Sequence, residues 1–147
     1  MSGLDADRRA LEIARRKHPD LDLSLHEGWA DAPPFEAETF DHVVSSLMFH
    51  HLATPTKMLA LSRARDLLVP GGELHILDWG EAGIPLMRFA FFGIQLLDGF
   101  STTSDNVAGL LPGMMRDAGF VEVAETHRTR TLFGVLSLYR ARKPMTS

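Results

Sequence analysis

The sequence predicts an α/β domain with a mainly parallel sheet that ends in an antiparallel strand pair. Apolar runs of strand length alternate with helical patterns along most of the chain, an order typical of parallel sheets covered by helices. The last two predicted strands follow each other with only a short charged link between them, which favours antiparallel pairing. No internal repeat and no long linker divides the 147 residues, so we expect a single domain over residues 1–147.

Composition and charge exclude several classes of protein. Hydrophobic residues make up 45% of the chain and charged residues 23%, as in globular rather than disordered or fibrous proteins. A net charge of −4 argues against binding nucleic acid through a bulk basic surface. The absence of cysteine excludes disulfides, thiolate metal sites and cysteine nucleophiles. The acidic N-terminus is no secretory signal, and the longest charge-free apolar run, 89–97, is too short for a membrane span. We therefore expect a cytoplasmic protein.

The first third of the chain holds a predicted helix and two predicted strands. Residues 7–17 carry an apolar stripe at helical spacing, with acidic residues first and basic residues last, as the helix dipole favours. Residues 21–26 alternate with period two, which indicates a half-buried strand. Residues 27–38 contain a glycine and two prolines and are predicted as loop. Residues 40–47 form an apolar, β-branched run of strand length.

The remainder is predicted to hold three helices and three strands. Thr54 is expected to cap the first of these helices, with Pro55 at its first position. The helices are predicted over residues 55–68, 84–97 and 106–118. The strands are predicted over residues 73–78, 120–126 and 132–139, with a turn at 70–72 before the first and a charged link at 127–130 between the last two.

Two places along the chain carry candidate chemistry. Asp5 stands just before the first helix, where an acid at the end of a strand can hold a ribose diol through two charge-assisted hydrogen bonds. The residues alone favour a simpler role, in which Asp5 or Asp7 caps the helix. His50 and His51 follow the predicted strand 40–47, at the end where open α/β sheets bind ligands, although they can equally be loop residues.

No metal site is predicted. Three further histidines lie within or close to predicted strands, but they show no metal-ligand spacing along the chain: His26, His42 and His75.

Six short segments, taken in order, resemble class I S-adenosylmethionine-dependent methyltransferases. The resemblance is closest to the small-molecule branch that includes the ubiquinone and menaquinone biosynthesis enzymes (methyltransferase type 11), and it extends from Gly3 to about Arg142. The segments are Gly3-Leu4-Asp5, 28–35, 40–44, 50–52, 70–74 and 118–120. The resemblance implies a Rossmann-like methyltransferase sheet, S-adenosylmethionine as cofactor and methyl transfer to a small, apolar or aromatic molecule.

The resemblance also implies roles for individual residues. The implied cofactor contacts are Asp5 at the ribose, Trp29, Ala30 and Asp31 beside the adenine, and Ser46 and Leu47 beside the methionine part. Trp29 stands where the family usually has an acid, and it can stack on the adenine instead.

The reacting methyl group and the substrate have implied partners as well. His50 and His51 match a His-His-Leu near the methyl group and are the candidate catalytic bases. Met87, Phe91 and Phe92 belong to the predicted helix 84–97, which would line an apolar substrate pocket. A core helix or a dimer face is the alternative for that helix.

One departure from the family pattern is large. The family's first strand and its glycine-rich Gly-x-Gly loop have no counterpart, because two residues precede Gly3 and no Gly-x-Gly occurs in this sequence. We therefore expect an incomplete, N-terminally truncated domain whose family sheet order, 3-2-1-4-5-7-6, lacks its central strand. Strand 21–26 can pair directly with Val43-Val44, a second chain can fill the gap, or the sequence is a fragment of a longer enzyme. A shifted sheet or a dimer is favoured.

The missing loop also leaves a second function open. A catalytically inactive remnant of a methyltransferase would serve as a binding or dimerisation module. A dinucleotide-binding domain of another kind is disfavoured by the same absence of a glycine fingerprint.

Overall fold

The computed structural model describes residues 1–80, 109–131 and 134–145. The described helices are α1 (Arg8–Lys17), α2 (Thr54–Leu67) and α3 (Leu111–Asp117), and a short 3-10 helix spans Phe49–His51. The strands are β1 (Ser2–Asp5), β2 (Ser24–Glu27), β3 (Phe40–Ser46), β4 (Leu68–Trp79), β5 (Val121–Thr131) and β6 (Gly134–Arg142).

The strands form two sheets. β1 and β2 pair in parallel, and a four-stranded sheet has the order β3-β4-β6-β5. β3 and β4 are parallel, whereas β6 runs antiparallel to both β4 and β5. The predicted α/β class with a parallel part and an antiparallel C-terminal strand pair is therefore confirmed.

A gap separates β1 from β3. Among the described residues, β1 pairs only with β2 and β3 only with β4, so both strands have an unpaired edge. Both also line one cavity of about 930 Å³. The expectation that strand 21–26 would pair with Val43-Val44 is wrong, because β2 stays in register with β1, with Gly3 opposite Leu25. The parallel crossover through α1 holds these two strands side by side.

The core lies between the four-stranded sheet and helices α2 and α3. Its largest fully buried side chains come from the 3-10 helix, α2, α3 and the inner face of β4: Phe49, Leu61, Leu74, Ile76, Leu111 and Met115. In the described ranges every buried residue lies at or after Phe49. Val44 on β3 is 73% exposed, because the sheet face that carries it has no layer over it among the described residues.

The element boundaries near β2 and α2 differ from the predicted ones. β2 begins at Ser24 rather than Leu21, because β1 offers only four residues to pair with. Ala53 occupies the N-cap position of α2 without a side-chain hydrogen bond, so the predicted cap at Thr54 is wrong by one residue. Pro55 still lies in the first turn of α2. Its missing N–H has no cost there, because the N–H groups of the first turn have no acceptor within the helix.

The later strands are longer than predicted. β4 starts at Leu68 and includes the predicted turn 70–72, where Gly71 has a positive φ of 78°. The charged segment 127–130 is part of β5 rather than a link. β5 is an edge strand, and an edge accepts charged side chains because they reach water.

The helices of the second half are only partly described. α3 begins at Leu111, with a proline in its first turn. The predicted helix 84–97 lies outside the described residues. Among the helices that the structure describes, none combines the length and the apolar character that crossing a bilayer requires.

Candidate functional site

The cavity between β1 and β3 gathers most of the predicted site residues. Its walls come from β1, β3, the loop after β2, the turn after β3 and one face of α2. Six of the predicted residues line it: Asp5, Trp29, Ala30, Asp31, Ser46 and His51. Leu47 and His50 are not among the lining residues, although each adjoins one along the chain. The predicted substrate contacts Met87, Phe91 and Phe92 lie outside the described residues.

Asp5 ends β1 and opens the turn into α1. Its Oδ1 accepts a hydrogen bond of 2.8 Å from the backbone N–H of Asp7. The carboxylate of Asp7 in turn accepts from the backbone N–H of Arg9, also at 2.8 Å, and is the N-cap of α1. Asp7 therefore caps the helix. Asp5 lines the cavity, and its Oδ2 has no hydrogen-bond partner among the described residues.

The loop after β2 is held close to β1. The N–H of Gly28 donates to the backbone oxygen of Asp5 at 3.0 Å. A Cβ at Gly28 would come within 3.0 Å of Leu4 Cδ1, so only glycine allows this approach without a shift. The next residue, Trp29, is 67% exposed and presents its indole at the cavity. An exposed flat ring on a cavity wall can stack on a planar ligand.

The turn after β3 is strained. Leu47 has a φ of 52°, a left-handed conformation that costs a non-glycine residue about 1–2 kcal/mol. Its N–H donates to the backbone oxygen of Leu77 at 2.8 Å, which fixes the turn to β4. The reversal directs the chain into the 3-10 helix Phe49–His51. Such strain is concentrated at functional sites.

The 3-10 helix holds a buried histidine against a buried carboxylate. Nδ1 of His50 lies 2.7 Å from Oδ1 of Asp78 at the end of β4. The same carboxylate accepts from the backbone N–H of His50 at 3.3 Å and from that of Trp79 at 2.7 Å. The ring of His51 lies on the ring of His50, with the two centroids 3.9 Å apart.

Asp78 is a candidate site residue that the sequence analysis missed. It appeared there only as the last residue of a strand. Its role could have been inferred from the strand topology. The carboxyl ends of neighbouring parallel strands meet at one edge of a sheet, so an acid near the end of β4 lies close to the turn after β3.

A second polar cluster lies further back on β3 and β4. His42, Glu73 and His75 have ligand-type atoms that all lie within 4.8 Å of one another. Arg142 donates to Oε1 of Glu73 at 2.6 Å, and this hydrogen bond lowers the pKa of the Glu73 carboxyl. The sequence analysis assigned no metal site, since spacing along the chain cannot reveal a grouping that strand pairing creates.

Comparisons with known proteins agree with this architecture. Residues 1–72 match a family model described as a methyltransferase domain. The ubiquinone/menaquinone biosynthesis C-methyltransferase of Rhizobium meliloti is 30% identical over 136 residues, which covers 80% of this chain and 52% of that protein. The demethylmenaquinone methyltransferase of Listeria welshimeri is 30% identical over 94 residues, or 62% of this chain and 39% of that protein.

A solved structure shares the fold. The S-adenosylmethionine-dependent methyltransferase from Methanosarcina mazei superposes with a TM-score of 0.75 at 16% identity, over 98% of this chain and 82% of that chain. The chain spans about half, or less, of the length of the curated relatives that it matches. The family model that matches residues 1–72, the related sequences and the shared fold all support a class I methyltransferase.

Proposed function

We propose that the protein transfers a methyl group from S-adenosylmethionine to a small, apolar or aromatic molecule. The observation that supports this most is the meeting of Asp5, Ser46 and His51 on one cavity, next to the buried pair His50–Asp78. A cavity of about 930 Å³ with few polar groups on its walls has the size of a small-molecule site. We also propose that residues 1–147 form one domain of a cytoplasmic protein. The absence of cysteine is in keeping with that location.

The cavity residues suit three parts of the cofactor, the ribose, the adenine and the methionine part. The carboxylate of Asp5 has a free oxygen for the ribose hydroxyls, and a carboxylate forms strong hydrogen bonds to a diol. Trp29 offers an exposed ring to the adenine, with Ala30 and Asp31 beside it. Ser46 and Leu47 would border the methionine part. The bound cofactor supplies an electrophilic methyl group, so the protein mainly needs to align it with the acceptor.

We assign proton removal to His50. In this proposal Nδ1–H of His50 donates a hydrogen bond to the carboxylate of Asp78, so the unprotonated Nε2 would take a proton from a hydroxyl or an acidic carbon. Asp78 fixes the ring orientation and stabilises the cation that forms. His51 lines the cavity and packs against His50 with the two rings tilted by 42°, so its role in this proposal is contact with the substrate.

The relatives narrow the class of acceptor. The Rhizobium protein is named for C-methylation in ubiquinone and menaquinone biosynthesis. That name favours an aromatic carbon as the methyl acceptor. Met87, Phe91 and Phe92 would contact the apolar part of the substrate.

A second candidate function is a catalytically inactive module that binds a partner or forms a homodimer. The unpaired edges of β1 and β3 and the exposed Val44 favour it, because such edges pair readily with other strands. The sequence also holds no Gly-x-Gly.

Methyl-transfer assays separate the two candidates. The wild-type chain is incubated with methyl-labelled cofactor and a panel of hydroxylated aromatic acceptors, and label transfer is counted. We expect transfer, a loss of about a hundredfold for His50→Ala, and no loss for His127→Ala, an exposed histidine on β5. Absence of transfer from every acceptor, together with a dimer in light scattering, supports the inactive module instead.

A further inference from the structure

The cluster His42, Glu73 and His75 is created by the register of two parallel strands. His42 on β3 lies opposite Glu73 on β4, and Val44 lies opposite His75. Side chains alternate along a strand, so the three polar side chains project from the same sheet face. His42 precedes Ser46 by four residues, or about 13 Å along an extended strand. The cluster is therefore distant from the turn that carries His50, although His42 itself also lines the cavity between β1 and β3.

The spacing of the three groups suits one metal ion. Nε2 of His75 lies 3.1 Å from Oε2 of Glu73. Two ligands on a tetrahedral zinc ion, each about 2.0–2.1 Å from the metal, lie roughly 3.3 Å apart. The ring centroids of His42 and His75 are 5.9 Å apart. His42 is exposed, so its ring can rotate towards the other two without displacing the core.

The charges and the ligand types of the cluster favour some metal ions over others. Arg142 binds Oε1 of Glu73 and leaves Oε2 facing the histidines. Arg142, and Arg140 opposite His75 on β6, oppose a cation, so weakly held Mg²⁺ or Ca²⁺ is disfavoured. Imidazole ligands favour Zn²⁺, Ni²⁺ or Cu²⁺. Nε of Arg142 is buried without a hydrogen-bond partner among the described residues.

We propose that His42, Glu73 and His75 form a binding site for a divalent transition-metal ion of the zinc class, which bridges β3 and β4. The site has three protein ligands and one open position. An ion that binds the native state but not the unfolded state stabilises the native state by mass action. Zinc is therefore expected to raise the melting temperature.

Zinc titration of the untagged, chelator-treated chain tests the proposal. We expect one zinc ion per chain by calorimetry. We expect His42→Ala and His75→Ala each to weaken binding by at least about tenfold and to remove the rise in melting temperature. His127→Ala, which changes a distant exposed histidine, is the matched control and keeps both properties.

Two outcomes overturn the proposal. One is a wild-type chain that binds no zinc, and the other is zinc binding that survives both substitutions unchanged. Should His75→Ala fail to fold by circular dichroism, His42→Ala decides alone, because His42 is exposed and its removal leaves no cavity.

Discussion

The Asp78 carboxylate joins the end of β4 to the 3-10 helix that carries His50. It lies 2.7 Å from Nδ1 of His50 and accepts two backbone N–H groups, those of His50 and Trp79. Asp78 is fully buried, and a buried carboxylate persists only where such partners replace water. One side chain therefore shapes the turn beside the cavity and orients the proposed base.

Replacement of Asp78 is predicted to destabilise the fold. Asp78→Ala leaves the backbone N–H and the imidazole of His50 buried without their acceptor, and should lower the free energy of unfolding by about 3 kcal/mol. His50→Ala should cost less, since Asp78 keeps both backbone donors. Urea unfolding measures both. Asp20→Ala, an exposed change, is the control, and an Asp78→Ala midpoint equal to that of the wild type contradicts the assignment.

The sole tyrosine of the chain is predicted to ionise at a higher pH than a free tyrosine does. Burial raises the pKa of Tyr139 above its usual 10.0, and the charge of Glu125 adds to this, whereas a hydrogen bond with Ser137 opposes it. The pKa of Tyr139 is higher in the folded state than in the unfolded state. Below pH 10.0 the phenol is protonated in both states and does not affect stability. As the pH rises further, the unfolded chain ionises first and the free energy of unfolding falls.

Phenolate absorbance measures this directly, because no other tyrosine contributes. The native midpoint should exceed the midpoint measured in urea, and Tyr139→Phe should remove the alkaline loss of stability that is due to this group. Equal midpoints in the two states would show that the phenol is accessible to water.

Two leucines with the same exposed fraction are predicted to differ in how their replacement by glycine changes the free energy of unfolding. Leu47 and Leu59 are each 43% exposed, but Leu47 has a positive φ and Leu59 lies inside α2. Leu47→Gly relieves about 1–2 kcal/mol of strain, whereas Leu59→Gly loses nearly 1 kcal/mol of helix propensity. Leu59→Gly should therefore be the less stable variant by about 2–3 kcal/mol in urea unfolding. The reverse order would mean that the turn at Leu47 is relaxed in solution.

Among the described residues, the order of the main elements from the first helix onward was predicted, because that order depends on local patterns, whereas the four-residue β1 was not. The helix at 7–17, the strand at 40–47 and the terminal strand pair were all anticipated. The boundaries of β2 and β5 were not, because they depend on pairing partners. β2 is limited by the four residues of β1, and β5 continues through charged residues because β6 is long enough to pair with them.

The candidate site was predicted in outline only. Asp5 was identified from the family resemblance and His51 from its position after a predicted strand and the same resemblance, and both border the cavity. Asp78 and the grouping of His42 with Glu73 were missed, since each depends on the register between β3 and β4. Register is a property of the assembled sheet, and no single stretch of sequence encodes it.

Calorimetry with S-adenosylmethionine tests the central claim, that the cavity between β1 and β3 holds the cofactor. We predict binding of one equivalent to the wild-type chain. Asp5→Asn, which keeps the oxygen that accepts from Asp7 but loses the charge, should bind at least about tenfold more weakly. Asp20→Ala should bind as the wild type does. No heat at millimolar cofactor, or equal affinity for Asp5→Asn and wild type, would contradict the claim.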